Sequence, residues 1–171
     1  MILNSIKSKY FQYKKLAEDA LEQIPDDKLN FVFGEDDNSI AIIMNHIAGN
    51  LKSRFTDFLT SDGEKSWRHR DSEFEANQLD RTALLHHWEE GWEILFDSLE
   101  NLSDDHLNVK VKIRGKDLTV FEALLRSIIH ITYHVGQIVY ISKTIVGKEW
   151  KSLSIPKGKS EEYNRNPNRE N

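Results

Sequence analysis

Hydrophobic positions recur every three or four residues in four separated stretches of the chain, the spacing of helices that each bury one face. In the first stretch Leu3, Ile6, Tyr10, Tyr13, Ala17, Ala20 and Ile24 form one seam over residues 2–24, with Lys7, Lys9, Lys14, Lys15, Glu18 and Glu22 mainly opposite. Pro25 ends this helix, because the residue before a proline is pushed out of helical geometry. Residues 26–37 are a connection whose apolar cluster, Leu29, Phe31, Val32 and Phe33, is expected to pack over one end of the fold. Asn38 or Ser39 caps a second helix running to about Leu59, with Ile40, Ile43, Ile47, Leu51, Phe55 and Phe58 turned inward. His46 borders that face, and Asn50, Ser53 and Asp57 continue a polar stripe beside it.

Residues 61–78 break the pattern with a polar, irregular stretch, of a length that marks a functional or a disordered connection. Trp67 and Phe74 are expected to pin it to the body, and Arg68 and Arg70 to balance Asp71 and Glu73, attraction of an anionic substrate being the alternative. Asp80 caps a third helix to about Asn101, whose wide apolar face includes Leu84, Trp88, Trp92, Leu95 and Leu99. Val109 to Ile113 alternates like a short strand, and Arg114-Gly115-Lys116-Asp117 turns it back. Thr119 and Glu122 have the capping-box spacing for a fourth helix that Gly147 stops after Val146. That helix is apolar almost all round, so it should be covered on more than one side, and a second subunit is one such cover. The expected fold is therefore all-α, a single four-helix bundle over residues 1–171 with a short strand or hairpin before the last helix. Trp150 to Pro156 reads as a docked tail segment, and residues from about 160 to 171 as a flexible end.

Composition narrows the functional classes more than the fold. Of 171 residues, 39% are hydrophobic and 30% charged, an ordinary globular balance. The net charge of −5, with basic residues dispersed, argues against nucleic acid as the main partner. There is no cysteine, hence no disulfide, no thiolate nucleophile and no thiolate metal ligand. With no signal-peptide core and no apolar run of membrane-spanning length, the expected location is the cytoplasm, away from membranes.

The candidate chemistry lies in the fourth helix, at Ser127-Ile128-Ile129-His130-Ile131-Thr132-Tyr133-His134-Val135-Gly136-Gln137. Imidazoles four residues apart on a helix lie on one face, about 40° apart, and can converge on one small ion. The pair alone is equally compatible with two core histidines. Arg126, Ser127 and Gln137 share its stripe. His46 is the histidine placed midway along another apolar-faced helix, and it completes a three-histidine set if the second and fourth helices are neighbours. Three neutral imidazoles would leave a divalent ion its full charge and open positions, as in catalytic sites, and such ligation suits zinc or nickel, also copper or iron. His86 and His87 are consecutive, so their side chains diverge by about 100° and are expected at the surface or its boundary.

Asn45-His46-Ile47-Ala48-Gly49-Asn50 and His130-x-x-x-His134-x-x-Gln137-Ile138 resemble the DinB/YfiT-like superfamily of metal-dependent enzymes. The Gly-Glu-Lys-Ser-Trp-Arg-His-Arg-Asp loop and the segment from Trp150 to Lys159 resemble one uncharacterised bacterial subfamily of it. The resemblance implies a four-helix bundle, commonly a homodimer, with a divalent metal on His46, His130 and His134. It also implies S-transferase or isomerase chemistry with a low-molecular-weight thiol and a small electrophile. Asn50, Arg126 and Gln137 are then candidates for orienting the cosubstrate or the metal ligands. A hydrolase that activates water, and a non-catalytic metal-binding helical dimer, are the alternatives.

Overall fold

Three helix starts are set by short capping signals. The Ser39 hydroxyl accepts from the Ile42 amide at 3.2 Å and Asp80 from the Ala83 amide at 2.8 Å, while Thr119 and Glu122 bond reciprocally. The computed structural model describes residues 2–75 and 79–166. In it these caps head α2 (Ile40–Phe55), α3 (Arg81–Glu100) and α4 (Val120–Val146). α1 (Ile2–Leu21) begins where the distant Asp104 carboxylate accepts from the amides of Ile2 and Leu3. α2 ends earlier than its apolar spacing suggests. Thr56 turns extended and Asp57 adopts a left-handed conformation, φ 49°, so Phe58 reaches the core from a turn rather than from the helix.

α2 lies along α3, α1 along α4, and α2 also meets α4, which makes the second and fourth helices neighbours. Gly91 permits the close approach of α3 to α2: a Cβ there would stand 2.8 Å from the carbonyl oxygen of Ala48. The core between the helices is aromatic at its centre. Tyr10 meets Phe55 and Trp92 edge-on, and its buried hydroxyl donates to the Leu124 carbonyl at 3.0 Å.

The expected hairpin is present as β1 (Lys110–Ile113) paired antiparallel with β2 (Lys116–Thr119). Its two-residue loop, Arg114 and Gly115, has φ of 55° and 71°, the signature of the turn that matches strand twist. Asp62 accepts from both loop amides, and the Gly63 amide donates to Lys112 at 2.8 Å. The chain leaving α2 is thereby tied to the hairpin at one end of the bundle.

Two packing expectations need correction. In the 26–37 connection Leu29 is buried, but Phe31, Val32 and Phe33 remain exposed, with Phe31 and Phe33 edge-to-face on each other. Trp67 is 47% exposed and does not pin its loop; Phe74, against His46, does. The stretch from residue 160 includes a short exposed helix, α5 (Ser160–Arg165), while residues 167–171, and residues 76–78 of the long loop, lie outside the described residues. The segment after α4 is docked: Trp150 and Leu153 pack on the core, and Gln23 both donates to and accepts from the Lys151 backbone. Among the described residues no helix is long and apolar enough to cross a membrane.

Candidate metal centre

The bundle brings His46 of α2 together with His130 and His134 of α4, with one ring nitrogen from each lying within 4.8 Å of the others. The four-residue spacing on α4 sets its two rings edge-on at 4.6 Å between centroids. His46 faces them from α2 at 5.1 and 5.0 Å. His46 is 3% exposed, and His130 and His134 are partly buried.

Hydrogen bonds settle which nitrogen of two rings faces inward. His46 Nδ1 lies 2.7 Å from Glu73 Oε2, and His134 Nδ1 lies 2.7 Å from the side-chain oxygen of Gln137. A carboxylate and an amide oxygen only accept, so both Nδ1 atoms hold the proton and both Nε2 atoms present lone pairs. His46 Nε2 and His130 Nε2 are 3.2 Å apart. Without an ion a proton must sit between them, on His130, leaving His130 Nδ1 bare; that atom is buried without a partner. A cation in place of that proton would let the ring nitrogens of all three histidines point their lone pairs at one centre, so the donor set fits a divalent ion.

Electrostatics favour the neutral form of the two imidazoles on α4. Burial, followed by the charges of His134, His46, Arg68 and Arg54, pushes His130 down from 6.5 to about 3. Burial also pushes His134 down, against the opposing bond to Gln137. Metal binding at neutral pH would therefore displace few protons from these two rings.

Glu73 and Arg68, expected from the sequence only to balance charge within the loop, belong to the site. Glu73 Oε2 accepts from His46 and from Arg68 Nη2 at 2.8 Å, and Oε1 accepts from Arg68 Nε at 2.7 Å. Burial alone would push the Glu73 carboxyl up, but the bonds and charges of His46 and Arg68 hold it below its ordinary value. The Arg68 side chain is only 2% exposed. The carboxylate enters over Gly49, where a Cβ would stand 2.5 Å from Glu73 Oε1. Phe74 covers His46 at 4.6 Å between ring centroids. The only hints in the sequence were the length of the loop and the glycine three residues after His46.

Of the other candidates, Gln137 holds His134, while Asn50 and Arg126 line a cavity of about 140 Å³ beside His130. Ser53, on the polar stripe, instead bonds the Gly63 carbonyl at 2.8 Å. Asp57 lies beyond the end of α2, and His86 and His87 are exposed on α3.

No curated protein and no solved structure matches the chain. A family model does, over residues 1–159: the chain belongs to DUF1572, a DinB/YfiT-like family described as proteins of unknown function.

Proposed function

We propose that this protein is a metal-dependent enzyme in which His46, His130 and His134 hold zinc or nickel, and that it transfers or isomerises substrates through a low-molecular-weight thiol. A divalent ion with three neutral ligands keeps its double charge and supplies Lewis acidity that favours a thiolate, or a hydroxide, at neutral pH. The observation that favours the thiol is the engagement of Glu73. Both its oxygens are taken by Arg68 and His46, so the carboxylate nearest the histidines is not free to act as a general base for water. With no cysteine in the chain, the nucleophile comes with a cosubstrate. In the transfer reaction a carbon–sulfur bond forms as the bond from that carbon to its leaving group breaks, and the thiol proton departs with the leaving group.

The chain's own residues orient and hold. Glu73, itself clamped by Arg68, fixes the His46 ring, and Gln137 fixes that of His134. Asn50 and Arg126, at the adjoining cavity, are placed to position the cosubstrate.

The proposal extends to assembly as a homodimer. Phe121, Leu125, Ile129, Tyr133 and Tyr140 form an exposed apolar stripe along α4, with Ile129 59%, Tyr133 64% and Tyr140 72% exposed. A stripe of this kind on the helix that supplies two of the histidines suits a second copy of the chain.

Metal analysis of protein purified without a histidine tag tests the ligand set. Near-stoichiometric zinc or nickel is expected in the parent protein, and its loss in His46→Ala with helicity retained. Stoichiometric metal in His46→Ala refutes the assignment. Incubation with several small thiols and an alkylating electrophile, with and without the metal, tests the chemistry: metal-dependent thioether formation is expected. Metal-dependent ester hydrolysis without thioether formation would favour the hydrolase. A bound metal with neither activity would favour a non-catalytic dimer.

A further inference from the structure

The cavity beside His130 has features the histidine cluster does not require. Three guanidinium groups border it, those of Arg54, Arg114 and Arg126, and no carboxylate is among its lining residues. Glu64 lies behind the wall, accepting from Arg54 Nη1 at 3.0 Å and from Arg114 Nε at 2.8 Å. Asp62 adds a second carboxylate there, accepting from the Arg114 amide and sensing the Arg54 charge. Two carboxylates thus offset two arginines, whereas Arg126 has no acidic or hydrogen-bonding partner among the described residues. The local balance is positive in a protein whose overall charge is −5.

Two buried polar atoms in the lining also lack partners. Ser127 is 7% exposed, and its buried Oγ has the Tyr10 hydroxyl beside it but no partner at full hydrogen-bond geometry; His130 Nδ1 is likewise buried and unpartnered. Leaving a buried polar atom short of partners is unfavourable, so such atoms call for a ligand. Phe55, Phe58 and Ile113 supply apolar wall. The volume of about 140 Å³ is close to that of a cavity of about 150 Å³ known to admit benzene. The combination suits a small organic molecule with an oxyanion at one end.

We propose that this cavity binds the carboxylate or phosphate of a small organic substrate, on Arg126 and Arg54 with Ser127, beside the histidine cluster. The assignment deepens the enzyme reading above and rests on it for the word substrate; the anion site itself is independent of the metal. Arg126 is exposed and Arg54 buried, so the first meets the anion at the mouth and the second draws it inward. Planar guanidinium groups grip carboxylate and phosphate oxygens in pairs, which gives orientation as well as attraction. A ligand oriented in this way presents its apolar body to the phenylalanines and lies against His130.

Titration calorimetry with benzoate, phenyl phosphate and the neutral analogue benzyl alcohol, on metal-free and zinc-loaded protein, tests the inference. At least one of the two anions should bind saturably at one per chain, and benzyl alcohol at least tenfold more weakly; comparison of the anions tells carboxylate from phosphate. Arg126→Gln should weaken the anion tenfold or more, and Ser127→Ala severalfold, each with metal content and melting temperature unchanged. Lys15→Gln, which removes an equal charge on α1, should leave the affinity unchanged. If neither anion saturates, if the alcohol binds as tightly, or if Arg126→Gln has no effect, the inference is overturned. Zinc analysis on the same samples separates the two readings. Protein that takes zinc but neither anion refutes only the anion site, and protein that binds the anion but takes no metal refutes only the metal centre.

Discussion

Replacing Gly49 by alanine tests whether the Glu73 carboxylate sets the affinity of the site. Gly49 lies in the interior of α2, where alanine is favoured over glycine by about 1 kcal/mol of helix propensity. Its added Cβ, however, would stand 2.5 Å from Glu73 Oε1 and 3.0 Å from the carboxyl carbon. Relief requires the carboxylate to retreat by about 1 Å, which takes a 2.7 Å bond to His46 beyond the ordinary hydrogen-bond range. The side chain cannot simply swing aside, because Arg68 grips both oxygens. Losing a charge-assisted bond of this kind costs about 1.5–3 kcal/mol, so the helix gain offsets much of the loss and the fold should survive. Metal affinity has no such compensation. Loss of the group that orients a ligating histidine lowers affinity by roughly 10–100-fold.

Competition of the protein with a chromogenic chelator for zinc measures the affinity, and circular dichroism the melting temperature. The His46 Nδ1 proton signal reports the bond to Glu73 directly. The expected Gly49→Ala variant melts within a few degrees of the parent, has lost that proton signal and binds zinc more weakly by the factor above. Retention of the signal together with parental zinc affinity would refute the reasoning, because the glycine would then not be needed to admit Glu73.

Acid should destabilise the metal-free protein before its carboxylates titrate. His130 is pushed down to about 3 and His134 is also lowered, so the unfolded chain takes up protons at about 6.5 that the folded chain refuses. Stability from these groups is fully present above about pH 6.5 and falls progressively as pH drops toward 3; a urea midpoint level from about pH 7.5 to 5 would contradict this. Ile129→Lys places a charge in the exposed stripe of α4, where Ile129 is 59% exposed. Sedimentation should show the parent as a dimer at micromolar concentration and the variant as a monomer of unchanged helicity; a monomeric parent would dismiss the dimer.

The bundle was legible because its signals are local. Ser39, Asp80 and the Thr119–Glu122 pair cap helices where the sequence places them, and Arg114-Gly115 closes the hairpin. These features depend on residues within a few positions of one another, as propensity and capping do. Expectations failed where a side chain had to choose between packing and solvent. Phe31, Phe33 and Trp67 are apolar, but the connections that hold them offer no second surface, and all three stay exposed. The end of α2 was overestimated because Phe58 keeps the helical spacing of buried residues while Asp57 leaves helical geometry.

The site divides in the same way. His130, His134 and Gln137 fall on one helical stripe, so their proximity follows from 3.6 residues per turn. His46 required one topological assumption, that the second and fourth helices touch, and they do. Glu73 and Arg68 required the path of an irregular loop, which periodicity does not encode. Yet their placement explains something local that the sequence had displayed all along. A glycine costs an interior helical position about 1 kcal/mol, and α2 has one at Gly49, less than one turn beyond His46. In a helix otherwise chosen for burial, that cost needs a reason, and a carboxylate passing within van der Waals contact supplies it. The glycine marks where the loop must approach, and the histidine beside it marks what the loop approaches for.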